Sequence, residues 1–64
     1  MEAKMIAYLQ SMLDDYGREY ARYGREDRVV KEKLDAMIAC KEMVEALIGL
    51  PVNLGLNGIV TVGF

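Results

Sequence analysis

Four carboxylates in the middle of this chain come as two pairs with partners three residues apart, Glu32 with Asp35 and Glu42 with Glu45. Carboxylates at that spacing share one face of a helix, the arrangement through which helical bundles collect a divalent cation. The chain has no His to complete such a set. Pairs of this kind also arise on any charged helix, and these four fall on a strip whose expected place is against water. A metal-dependent helical-bundle enzyme using Glu32, Asp35, Glu42 and Glu45 is therefore an alternative and not the leading reading. Cys40 is the single thiol. With no imidazole to activate it and an apolar arc around it, the expectation is a buried structural thiol and not a nucleophile.

The second constellation is basic. Six of the eight cationic residues, Arg18, Arg22, Arg25, Arg28, Lys31 and Lys33, crowd into sixteen positions that also hold Tyr20 and Tyr23. Arginine with tyrosine can grip phosphates and stack bases, so nucleic-acid binding through a basic hairpin tip built on Arg18, Arg22, Arg25 and Arg28 is a second alternative. Geometry and charge weigh against it. On a continuous helix Arg18, Arg22 and Arg25 point roughly 160° or more away from Tyr16, Tyr20 and Tyr23, so the two kinds of contact would not share a surface. Asp14, Glu19, Glu26, Asp27, Glu32 and Asp35 offer neighbouring carboxylates to most of these cations, and the formal net charge is −2. That is the pattern of a salt-laced solvated face. No residues are assigned to catalysis, to a metal or to a cofactor, and the protein is expected not to be an enzyme.

Those residues need elements to hold them. On a helical wheel Met5, Ile6, Tyr8, Leu9, Met12, Leu13, Tyr16, Tyr20 and Tyr23 fall within one arc of about 160°, with Lys4, Gln10, Ser11, Asp14, Asp15, Arg18, Arg22 and Arg25 opposite. This predicts an amphipathic helix over about 2–24, in which Gly17 costs about 1 kcal/mol relative to Ala. A second helix is predicted over about 27–48, with Asp27 as N-cap and Gly49 followed by Pro51 as the stop. Its apolar set, Val29, Val30, Leu34, Met37, Ile38, Cys40, Met43, Val44, Leu47 and Ile48, spreads over about 220° of the wheel, more than a single partner helix covers.

The link between the helices has two solutions. Tyr16-Gly17-Arg18-Glu19 returns seven residues later as Tyr23-Gly24-Arg25-Glu26, and Leu9, Tyr16, Tyr23, Val30, Met37 and Val44 keep the same seven-residue phase, which would suit one long coiled coil. The companion seam fails in the middle, at Glu19, Glu26 and Lys33 or at Tyr20, Asp27 and Leu34. Gly24 also precedes the charged run Arg25-Glu26-Asp27-Arg28, so an antiparallel helical hairpin bending at 24–27 is the favoured form.

From Leu50 to Phe64 the chain carries no charge. A membrane-spanning tail is disfavoured by Pro51, two Asn and four Gly between Ala46 and Phe64. Asn57-Gly58 signals a β-hairpin over about 52–63 with a type I′ turn, which would put Val52, Leu54, Leu56, Ile59 and Thr61 on the face toward the helices.

With 64 residues, no disulfide and no metal set, the usual route left to a sufficient core is self-association. The fold class expected is α+β: one domain, residues 1–64, with an antiparallel helical hairpin and a short C-terminal β-hairpin, assembled as a homodimeric or higher helical bundle. Its interface is expected at Met5, Leu9, Met12, Tyr16, Tyr20, Tyr23, Val30, Leu34, Met37, Val44 and Ile48. The four tyrosines are read as a core or subunit interface whose phenols reach water at the rim, with a peptide or helix of another protein as the alternative occupant of the same stripe. Glu2 and Lys4 interrupt any secretory signal pattern and Cys40 is unpaired, so the cytoplasm is the expected compartment. The leading functional expectation is a non-enzymatic, self-associating interaction or scaffold module.

Overall fold

Residues 2–63 are described by a computed structural model. The first helix, α1 (Glu2–Tyr23), ends where Gly24 stands at φ 83° and donates its N–H to the Tyr20 carbonyl at 2.8 Å. A turn over 24–27 follows. Asp27 then caps the second helix, α2 (Arg28–Ile48), its Oδ1 accepting the N–H groups of Val29 at 3.0 Å and Val30 at 3.2 Å. These bonds satisfy two of the donors that a helix start leaves without intrahelical partners. The break at Gly24 settles the link: the helices fold back as an antiparallel hairpin, and the seven-residue phase does not run on as one long coil.

Two short strands follow, β1 (Val52–Leu54) and β2 (Val60–Val62), paired antiparallel. The β-hairpin forms a second layer, with β1 against α2 and β2 against α1. The architecture is the α+β arrangement of a helical hairpin and a C-terminal β-hairpin.

The turn differs from the type I′ expectation. Type I′ needs positive φ at both central residues, yet among the described residues only glycines have it, and within this loop that is Gly58 at 83°. The loop closes instead through the Gly58 N–H donating to the Gly55 carbonyl and the Gly55 N–H donating to the Ile59 carbonyl, each at 3.0 Å. Asn57 Oδ1 accepts the Ile59 N–H at 3.1 Å, a local bond that asparagine makes readily in turns. Three residues therefore lie between Gly55 and Ile59 where the type I′ form has two.

That one extra residue shifts the register so that Val52 faces Val62, Asn53 faces Thr61 and Leu54 faces Val60. A slip of one residue exchanges the two faces of a strand. Val52, Leu54 and Val60 turn toward the helices, whereas Ile59, Thr61 and Leu56, expected inward, are exposed. The inward set joins one core: Leu9, Leu13, Met37, Val44, Val52 and Val60 are buried together, with Met5, Ile6, Met12, Tyr16, Leu34, Cys40, Ile48 and Leu54 packed half-buried around them. Each such side chain fully removed from water contributes about 1.5–3 kcal/mol.

Candidate functional site

The acidic strip does not converge. Glu32 and Asp35 are exposed, as is Glu42, and among the described residues no three of His, Cys, Asp and Glu gather around a common point. Glu45 departs from the expectation that it faces water. Its Oε2 accepts the Val52 N–H at 2.8 Å and its Oε1 lies 3.3 Å from Lys41 Nζ. The Val52 hydrogen bond, then the Lys41 ammonium, hold this carboxyl below the usual glutamate range against an opposing desolvation.

Gln10 is the second departure. It was expected on the polar side of α1, but it reaches across to the β-hairpin, where Oε1 accepts the Val60 N–H at 2.9 Å and Nε2 donates to the Gly58 carbonyl at 2.7 Å. The two latches serve the same physical need. The ladder bonds flanking the strands fall at 51/63 and 55/59, so Val52 and Val60 alternate out and point their N–H groups away from the partner strand. Each would be an open sheet edge. Glu45 covers one and Gln10 the other. Any two-stranded hairpin has two such edges, but the side chains that close them were not identified from the sequence. The available signal was that the only Gln of the chain sits beside the apolar arc of α1, next to Ile6 and Leu13 on the wheel.

The basic residues are shared out among nearby carboxylates. Arg18 lies 3.7 Å from Asp15, Arg25 3.7 Å from Glu26, and Arg28 and Lys31 3.5 Å from Glu32 and Glu26. Arg22 leans over its neighbour Tyr23, 6.0 Å from the ring centre. Lys33 crosses between the helices to Asp15, and their hydrogen bond lowers the pKa of Asp15 and raises that of Lys33. All these pairs except Lys33–Asp15 sit in water, where ion pairs contribute little.

Of the eleven residues expected at a subunit interface, Leu9, Val30, Met37 and Val44 are buried inside the single chain. Met5, Met12, Tyr16, Leu34 and Ile48 are half-buried, and Tyr20 and Tyr23 are exposed. Among the large apolar side chains that face solvent and were not expected at an interface are Tyr8, 63% exposed, Met43, 62%, and Leu47, 67%. They border an open groove of about 260 Å³ between the start of α1 and the end of α2, together with Lys4, Met5, Cys40 and Val44. Met43 and Leu47 lie roughly 160° around α2 from Glu45, hence on the side of the helical pair away from the β-hairpin. A second groove, about 620 Å³, opens beside the hairpin tip between Tyr16, Tyr20, Leu34, Ile38, Leu54 and Leu56.

Comparison of the chain with protein-family models, with curated proteins and with solved structures found no match. Among the described residues no helix is long and apolar enough to cross a membrane.

Proposed function

We propose that this protein is a non-enzymatic interaction or scaffold module whose partner is a second copy of itself, as a homodimer or a higher oligomer. The observation that carries this reading is the uncovered flank of α2. Its apolar arc is too wide for one neighbour, and α1 and the β-hairpin close over Met37 and Val44 while Val29, Met43 and Leu47 stay open. Tyr8 of α1 continues the same apolar strip across the groove. Laid against its two-fold mate, this face makes a four-helix layer with a β-hairpin on either outer side.

Surface bookkeeping agrees with the reading. The chain exposes 4674 Å², against about 4100 Å² given by size scaling for a monomer of 7.2 kDa. Burying about 800 Å² per partner is what an ordinary stable interface requires. The free thiol of Cys40, half-buried in the groove, agrees with a reducing compartment such as the cytoplasm.

Replacing both Met43 and Leu47 with Glu tests the reading. The two side chains project into solvent from one chain, so the double variant keeps its helical circular dichroism, and its mass by light scattering falls below that of the unaltered protein. An unchanged mass would remove this face from the interface.

A further inference from the structure

We infer that the groove at the β-hairpin tip is a second self-docking site, in which Leu56 of one copy enters the space beside Gly17 of another and the exchange is reciprocal. Among the described residues Leu56 is the most exposed large apolar side chain, at 110%, and it stands on the rim of a groove whose wall includes Gly17. An uncovered leucine on a tight loop is a knob without a hole. Gly17 supplies the hole.

A Cβ built at Gly17 would meet nothing within 4 Å, so no packing inside the chain asks for glycine in the middle of α1, where glycine is a poor helix former. What glycine permits there is close approach to the helix backbone from outside. Knob and hole lie on one patch, which is the condition for an isologous contact, where residue i meets j and j meets i. Near a two-fold axis every charge would face its own copy. None of the residues lining this groove is charged, so a second copy meets no such repulsion.

This site lies on the hairpin side of the helical pair, opposite Met43 and Leu47. It extends the self-association proposed above by a separate surface, and joining both surfaces predicts assemblies of four or more chains. The test is sedimentation equilibrium of the full chain for the unaltered protein, for Leu56→Glu, for Gly17→Leu and for Met43→Glu with Leu47→Glu, with helical circular dichroism confirming that each is folded. The unaltered protein is expected at four chains or more. Leu56→Glu and Gly17→Leu should each leave two-chain particles, the Met43/Leu47 variant should leave two-chain particles too, and Leu56→Glu added to that variant should give single chains.

If Leu56→Glu and Gly17→Leu both keep the unaltered mass, the tip contact is overturned while self-association through the other face stands. If they give single chains and the Met43/Leu47 variant changes nothing, the tip contact stands and the other face fails. An apolar dye that binds the unaltered tip while neither tip variant alters the mass would assign the groove to a small ligand and likewise overturn the inference.

Discussion

A Cβ added to Gly55 would run into the Asn57 side chain and lie 2.8 Å from the Ile59 carbonyl oxygen. The second of these contacts is with backbone held in the loop's own hydrogen bond, so the turn would have to open to make room. Gly55→Ala is accordingly expected to destabilise the chain by about 1–3 kcal/mol, read as a lower urea midpoint. Glu45 gives the residue scale a pH signature. Its folded-state pKa lies below the unfolded value, so its contribution is complete above about pH 4.3 and is lost as pH falls through the lower folded value. Asp15, lowered chiefly by its hydrogen bond from Lys33, works in the same direction, while the raised pKa of Lys33 means its share is lost only on the alkaline side. Melting temperatures followed downward in pH should therefore fall more steeply for the unaltered protein than for Glu45→Gln, which keeps an acceptor for Val52 but does not titrate.

The helices were legible element by element because their signals are local. Apolar spacing fixed the faces of α1 and α2, Gly24 and Asp27 fixed the turn between them, and Gly49 with Pro51 fixed the end. The strands were legible as strands, but their facing was not. It depends on whether the loop holds two residues or three, and Asn57-Gly58 serves either: as the two central residues of a type I′ turn, or as the last two of a three-residue loop with Gly58 alone left-handed. The hydrogen bonds of Gly55 decide between them, and a single glycine in an uncharged run does not announce that role. Gln10 escaped for a related reason: a wheel assigns polar residues to the outside, whereas a polar side chain bordering an apolar arc can serve a sheet edge that the same chain brings to it. Gln10→Ala removes the acceptor for the Val60 N–H and should cost about 1–3 kcal/mol. Hydrogen exchange at the Val60 amide should accelerate more than at the Val30 amide, which α2 and its cap hold independently.

At the scale of the whole molecule, the chain answers the shortage of core only in part. The β-hairpin that Asn57-Gly58 signalled comes back over Val44 and lies along both helices, giving a body of 34 × 19 × 19 Å in which Leu9, at 0% exposure, marks the centre. Four residues expected between subunits are thereby used within one. The excess of apolar side chains over what one chain can cover moves to the opposite flank, where Tyr8, Met43 and Leu47 stand open. Sequence could show that α2 had too broad an apolar arc. It could not show which third would be left over, because that follows from where the hairpin lands.

The most direct test is the mass of the purified chain in solution across a hundredfold dilution, measured by light scattering with circular dichroism on the same samples. Self-association requires at least two chains per particle at the highest concentration, with mass declining on dilution as copies separate. A particle of 7.2 kDa that keeps full helical signal at the highest concentration would contradict it.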